Sequence, residues 1–205
     1  MDDPGLRRWD ERYAQEGYLF GEQPNAFLAR HKHRLESRVR ALAVADGEGR
    51  NGVWLAEQGL DVVSIDGSPA AQDKARRLAE RRGVEITCKL ADLTSWTWPD
   101  QAFDVVAGIF IQFAGPDLRS RMFRGMQQAL RPGGLLLLQG YRPEQLAYGT
   151  GGPSAVENLY TEGMLREAFA NMQILELTAY DALLSEGSGH AGMSALIDLV
   201  ARRTG

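Results

Sequence analysis

A chain of 205 residues with 44% hydrophobic content is long enough to bury one sizeable core, so a single domain over residues 1–205 is expected. Its 23 basic and 27 acidic residues leave a formal charge of -4, which argues against nucleic acid or an anionic membrane as partner. No apolar run approaches the ~20 residues of a membrane span, and the start MDDPGLRRWDERY is too polar for a secretory signal. Cys88 is the only cysteine, so no internal disulfide and no cysteine-held metal is expected, and the chain reads as cytoplasmic.

Leu6, Trp9 and Tyr13 form a stripe at helical spacing near the start. LARHKHRLESR follows as a charged helix whose His31 and His33 are expected in solvent. From there short apolar, branched segments alternate with helix patterns. VRALAVA, DVVSID, VEITCKL, FDVVAGIF and GLLLLQGY read as strands covered on both faces, with Cys88 at a buried strand position. Between them lie NGVWLAEQG, SPAAQDKARRLAERRG and PDLRSRMFRGMQQALRPGG. The second opens with Ser68 as N-cap and Pro69 in its first turn, and the third is expected to end at Pro132 and the Gly133, Gly134 pair. Such repetition gives right-handed crossovers and an open parallel sheet, with ligands at the carboxyl ends of its strands.

After Tyr141 the rhythm changes. RPEQLAYGTGGPSAVENLY reads as a long surface loop, and TEGMLREAFA as one helix. MQILELTAYDALL and MSALIDLVARR, joined directly by SEGSGHAG, must then pair antiparallel. The expected fold is α/β: a Rossmann-like three-layer sandwich whose seven-stranded, mostly parallel sheet carries an antiparallel C-terminal strand. Residues 1–35 form an N-terminal helical cap, 36–141 a cofactor-binding core, and 142–205 a substrate loop and hairpin.

Gly47 and Gly49 fall where the first strand turns into the next helix, so backbone can approach a ligand there without a Cβ in the way. Asp66 closes the second strand, where a carboxylate can accept both hydroxyls of a ribose. With Gly52 the turn matches G-x-G-x-x-G by letters, the pattern of a dinucleotide site. Asp46 and Glu48, however, place two carboxylates where a diphosphate would lie. Anionic side chains repel a diphosphate and suit a cofactor carrying a sulfonium and an ammonium. S-adenosylmethionine is therefore favoured over NAD.

Four stretches carry a resemblance: WDERYAQEGYLFGEQPNAFL at 9–28, GEGRNGVWLAEQG at 47–59, LRPGGLLLLQGYRPEQLAYGTGGP at 130–153, and SEGSGHAG. The chain resembles the class I S-adenosylmethionine-dependent methyltransferases, and among them the small bacterial proteins of the tellurite-resistance and thiopurine methyltransferase type. That resemblance implies S-adenosylmethionine as cofactor and S-adenosylhomocysteine as product. It assigns the cofactor site to Trp9, Arg12, Ala45, Asp46, Gly47, Gly49, Arg50, Asp66, Gly67, Ser68, Asp92, Leu93, Gly108 and Ile109. The N-terminal segment becomes a lid hinged at the glycines of GYLFGEQPN, and Asp92 lies near the adenine amino group or, on its own residue type, forms a turn.

The chain departs from D-L-G-C-G-x-G in having Ala43, Ala45 and Asp46 at the acid, first glycine and cysteine positions; Asp46 is expected to offer its charge to the cofactor's amino group. Where relatives often carry a histidine after the fourth strand, this chain reads FIQFAGPDL. The implied reaction is methyl transfer to a small molecule, a soft thiol, selenium, tellurium or arsenic acceptor needing no base. For an amine or hydroxyl, His190 or Tyr141 is the candidate base, His190 having a structural role as its other reading. The acceptor is expected among Tyr141, Tyr148 and Phe113, with Arg142, Glu144 and Glu186 as the few charges. A cofactor-binding protein without catalysis and an NAD-dependent oxidoreductase stay open as alternatives. The expected assembly is a monomer or homodimer, without metal, nucleic acid or membrane.

Overall fold

In the computed structural model, which describes residues 4–37 and 39–205, the elements run in chain order from α1 (Pro4–Tyr13) and α2 (Ala26–Arg30) to β1 (Arg40–Val44), α3 (Arg50–Glu57), β2 (Asp61–Asp66), α4 (Pro69–Arg82) and β3 (Thr87–Leu90). β4 (Phe103–Ile109), α5 (Pro116–Ala129), β5 (Leu130–Tyr141), α6 (Gln145–Tyr148), α7 (Glu162–Ala168), β6 (Met172–Glu186) and β7 (His190–Arg203) complete it. One seven-stranded sheet has the order β3-β2-β1-β4-β5-β7-β6. It is mostly parallel, and flanking helices give it the Rossmann-like architecture expected from the alternating pattern.

Two compact units are distinguished: Met1–Trp96 with Glu186–Gly189, and Thr97–Ser185 with His190–Gly205. In the first, β1 pairs parallel with β2 and β2 with β3. Nearly every side chain of β1 and β2 is buried, as strands covered on both faces require. β3 is shorter than VEITCKL and stands at the sheet's edge, so Cys88 is only half-buried, contrary to the expected buried position. α4 begins as its sequence dictates: Ser68 Oγ accepts from the Ala71 N–H at 3.1 Å, with Pro69 in the first turn.

The expected helix LARHKHRLESR breaks after Arg30 into a short 3-10 turn, and its last residue, Arg38, lies outside the described residues, as do residues 1–3 of the cap. His33 is exposed, but His31 is 2% exposed, its Nδ1 lying 2.9 Å from the Phe27 carbonyl oxygen and its ring 4.6 Å from that of Phe27. At the C-cap of so short a helix the ring turns inward to meet a carbonyl that the helix leaves unused.

In the second unit β4 pairs parallel with β5, and β5 antiparallel with β7, Leu138 facing Leu199. α5 stops at Ala129, before the Pro-Gly-Gly expected to end it. Leu130 is already extended, with φ -74° and ψ 142°, and pairs with Phe103, so sheet pairing rather than the glycines sets the boundary. Gly125 of α5 leaves room for Trp98, whose ring would meet a Cβ there at 2.3 Å. The stretch after Tyr141 is more ordered than the surface loop expected: α6 forms within it, and Gln145, Leu159 and Tyr160 are buried. The Gln145 amide accounts for this, accepting from the Ala195 N–H at 2.8 Å and donating to Thr150 Oγ1 at 3.0 Å. β6 and β7 are neighbours joined by the turn 187–189.

Candidate active site

In the first unit, the chain between β1 and α3 turns through three left-handed residues, Ala45 at φ 48°, Gly47 at 58° and Gly49 at 87°. Ala45 is where the resemblance places a glycine, and its methyl carries the steric cost that glycine would avoid. Gly49 is close to α4, since a Cβ there would lie 2.5 Å from that of Ala75.

Asp46 does not reach out of the turn as expected. Its carboxylate folds back under the start of α3, accepting from the Gly52 N–H at 3.1 and 3.2 Å and from Ser64 Oγ at 2.9 Å. Burial raises its pKa to about 7, against the lowering effect of those hydrogen bonds. A Cβ on Gly52 would sit 2.4 Å from Asp46 Oδ2. The third glycine of the letter pattern thus makes room for a carboxylate. Glu48 is equally committed, 3% exposed and paired with Lys74 at 2.8 Å, while Lys74 also donates to the carbonyls of Gln15 at 2.7 Å and Gly17 at 2.5 Å.

Asp66, at the end of β2, joins the turn to α4: Oδ2 accepts from the Gly47 N–H at 2.8 Å and Oδ1 from the Ser68 N–H at 2.9 Å. Burial raises its pKa, and those backbone donors oppose the rise. Asp10 of α1 reaches the same place, accepting from Ser68 Oγ at 2.5 Å and from the Ala70 N–H at 3.0 Å. An acid at the N-terminus of α4 is favoured by the helix dipole.

α1 crosses this region. Leu6 fills the space beside Gly67, where a Cβ would meet its Cδ2 at 2.5 Å, and the Tyr13 hydroxyl lies 2.9 Å from where a Cβ of Gly47 would be. Tyr13 is buried, and its pKa is raised by that burial and by Asp66 and Glu48 beside it. Trp9 stacks on Tyr13 with centroids 5.5 Å apart, Phe20 lies 6.3 Å from both, and the Arg12 guanidinium covers Trp9 at 4.5 Å.

Arg50 donates to the Phe20 carbonyl at 3.2 Å and pairs with Glu186 at 2.8 Å, the two side chains being 7% and 10% exposed. Glu186 also accepts from the Asn25 side chain at 3.2 Å and from the Ala26 N–H at 3.0 Å. Glu186 therefore belongs to a buried network rather than to an acceptor pocket. Asp92 behaves as a turn former, its Oδ1 accepting from the Thr94 N–H at 2.9 Å and hydroxyl at 2.7 Å. With Lys89, Leu90, Ala91, Ser95 and Trp96 it lines a shallow groove of about 290 Å³, while Leu93 is buried.

In the second unit, Gly108 and buried Ile109 end β4. A Cβ on Gly108 would crowd Met126 at 2.7 Å and Ile111 at 2.9 Å, so this glycine serves helix packing. Phe110 follows at φ 55°, rare for an aromatic residue. Its ring lies 4.3 Å from that of His190 and 4.7 Å from that of Tyr141, and the Tyr141 hydroxyl is 2.5 Å from His190 Nδ1. Both Tyr141 and His190 are buried, and Gly152 covers the Tyr141 ring. Within FIQFAGPDL, Gln112 is buried and holds the end of β5, donating to the Tyr141 carbonyl at 2.9 Å and accepting from the Tyr141 N–H at 2.6 Å. Phe113 is exposed, and Tyr148 turns its hydroxyl to Asp181 at 2.9 Å. Arg142 pairs with Glu144 at 3.5 Å and also with Asp181.

The family model described as a methyltransferase domain matches residues 41–134, from β1 through the glycine turn and Asp66 to β5. That stretch, a little under half of the chain, is similar to the methyltransferase domain. It is 35% identical over 108 residues to a demethylmenaquinone methyltransferase of Thermus thermophilus, covering 51% of this chain and 48% of that one. The chain spans about half or less of the curated relatives it matches, and those also include proteins named ribosomal protein L11 methyltransferase and tRNA 5-carboxymethoxyuridine methyltransferase. N-methyltransferase NodS of Bradyrhizobium japonicum, solved with S-adenosylhomocysteine, superposes with a TM-score of 0.75 over 98% of this chain and 99% of that chain, at 15% identity. TehB of Haemophilus influenzae gives 0.72 over 98% of this chain and 67% of that chain, at 16% identity. At such identities the likeness is one of fold.

Proposed function

We propose that this methyltransferase moves the methyl of S-adenosylmethionine to a small soft acceptor, a thiol or a selenium, tellurium or arsenic species. One observation carries the choice of cofactor. In a dinucleotide site the amides of the glycine turn face a diphosphate, whereas here the Gly47 N–H is given to Asp66 and the Gly52 N–H to Asp46. Two buried carboxylates occupy the donors a diphosphate would need. The same negative surroundings suit a cationic cofactor.

Asp66 would hold the ribose, since each carboxylate oxygen retains a lone pair beyond the backbone hydrogen bond it accepts. Gly47 and Gly49 let the cofactor approach backbone, while Trp9 and Arg12 on α1 close over it. Gly67 and Ser68 flank the ribose. Asp92 and Leu93, beside the groove after β3, would meet the adenine. Ala45 and Arg50 shape the turn without offering it a free charge. When bound, S-adenosylmethionine supplies an electrophilic methyl on a sulfonium. The protein's part is to orient the acceptor and exclude water, which for a soft anion suffices. The Tyr141 hydroxyl fixes the ring of His190, and His190 orients the acceptor.

The net charge of -4 favours a small molecule over tRNA as acceptor. Among the described residues no helix is long and apolar enough to cross a membrane, and the single half-buried thiol of Cys88 suits the cytoplasm. The test is S-adenosylhomocysteine formation from S-adenosylmethionine with small thiols, selenide, reduced tellurium and arsenite offered separately. Turnover on at least one of them, lowered by His190→Ala while S-adenosylhomocysteine affinity stays within about twofold, is the expected result. Turnover on tRNA alone would overturn the acceptor reading.

A further inference from the structure

The segment that follows α1 is fastened to α4. The Lys74 ammonium donates to the carbonyls of Gln15 at 2.7 Å and Gly17 at 2.5 Å, and the Tyr18 hydroxyl donates to the Lys74 carbonyl at 3.0 Å. Phe20 is held in its turn, its carbonyl accepting from Arg50 at 3.2 Å. The glycines of GYLFGEQPN are therefore no free hinge, since Gly17 is among the fastened residues. What is left to move is α1 itself, about a pivot at Gln15.

α1 is fastened to the same helix by Asp10. Its carboxylate accepts from both Ser68 Oγ and the Ala70 N–H, and a charge at the start of a helix of 14 residues makes stronger bonds there than a neutral group would. Between pivot and fastening, α1 lies on the groups that a nucleoside would need, with Leu6 against Gly67 and Tyr13 against Gly47. Residues 46–50 of the turn are all buried, and Asp66 is 8% exposed. The free lone pairs of Asp66 are out of a ribose's reach while α1 stays in that place.

We propose that α1 is a door, pivoted at the Lys74 contacts and latched by Asp10, which stands shut in the empty protein and must unlatch before S-adenosylmethionine enters. Naming the cofactor rests on the methyl-transfer reading, whereas the latch stands on α1 and α4 alone. A lid that settles over a bound ligand adds contacts to the complex. A latched door does the opposite: a ligand between α1 and the turn keeps Leu6 and Asp10 from their places, so the latch stabilises the empty form. The apparent affinity is then reduced by the fraction of molecules that are unlatched. Asp10 is a gating residue that acts without touching the cofactor.

The experiment compares the wild type with Asp10→Ala and with Asp10→Asn, which keeps an acceptor but not the charge. Without ligand, hydrogen exchange of residues 4–13 is expected to be about tenfold faster in Asp10→Ala, the worth of a hydrogen bond to a charged group, and intermediate in Asp10→Asn. Residues 15–20, held by Lys74 and Arg50, should exchange as in the wild type. S-adenosylhomocysteine binding is followed by stopped-flow tryptophan fluorescence, with Trp9 of α1 as a reporter. Asp10→Ala should associate faster by a similar factor with an unchanged dissociation rate, and so bind more tightly. Equal exchange of α1 in the wild type and Asp10→Ala overturns the latch. Weaker binding by Asp10→Ala overturns the door, because Asp10 would then support the complex. Should no form bind S-adenosylhomocysteine while the exchange difference stands, the methyl-transfer reading falls and the latch is upheld.

Discussion

The glycine turn and the end of β4 solve different problems with different materials. Around the turn, the structure is built from charge: Asp46, Glu48 and Asp66 are buried, and each carboxylate is tied to a backbone donor, a hydroxyl or Lys74. Around Phe110 it is built from rings, with one hydrogen bond between Tyr141 and His190. The difference is that the turn is held by where backbone N–H groups go, and the end of β4 by ring packing. Substitutions should therefore act through electrostatics in the first region and through packing in the second.

The largest effect is expected at the Arg50 and Glu186 pair. Arg50→Met strands a buried carboxylate and should cost about 3 to 5 kcal/mol in urea unfolding, whereas adding Glu186→Leu should recover most of that loss. A single variant as stable as wild type would show the pair to be idle. Next is Asp46, whose pKa is raised to about 7. A carboxyl that binds its proton more tightly in the folded state contributes stability fully present below about pH 4, its unfolded value, and lost as pH rises through about 7. Asp46→Asn keeps acceptors for Gly52 and Ser64 and should flatten the fall in stability between pH 4 and 7, a change on the order of a few kcal/mol.

Asp66→Ala should weaken S-adenosylhomocysteine binding by about 1 to 3 kcal/mol in calorimetry, through loss of the ribose acceptor and release of the Gly47 N–H. Unchanged affinity would remove Asp66 from the site. The smallest effect is at Ala45. Glycine there relieves a left-handed methyl, offset in part by a more flexible unfolded chain, and should raise stability by about 0.5 to 1 kcal/mol in thermal unfolding. At Phe110 the same relief is set against lost ring packing, so Phe110→Gly should not stabilise. That opposite response sharpens the contrast between the two regions.

The same contrast decides what the sequence makes legible. DVVSID and FDVVAGIF are read as strands almost to the residue because branched apolar runs bounded by polar residues have few other solutions. Asp66 and the glycine turn follow from their place at strand ends. What spacing hides is where a charge turns. Asp46 reads as ligand-facing, yet Ser64 and Gly52 draw it inward. A serine in the middle of a buried strand is the signal that could have located it. His31, the Pro-Gly-Gly boundary and the Arg50 to Glu186 pair depend on partners distant in sequence or on cap geometry that local patterns do not encode. Phe110 gives no sequence signal, because its strain exists only once β4 and β5 have paired.

On the proposed function, the carboxylate-filled turn takes a cationic nucleoside cofactor and refuses a diphosphate. Calorimetric titration of the wild-type protein with S-adenosylmethionine, S-adenosylhomocysteine and NAD tests it directly. Saturable one-to-one binding of the first two and no heat attributable to NAD is the expected result; saturable binding of NAD without binding of either sulfur cofactor would make the turn a dinucleotide site.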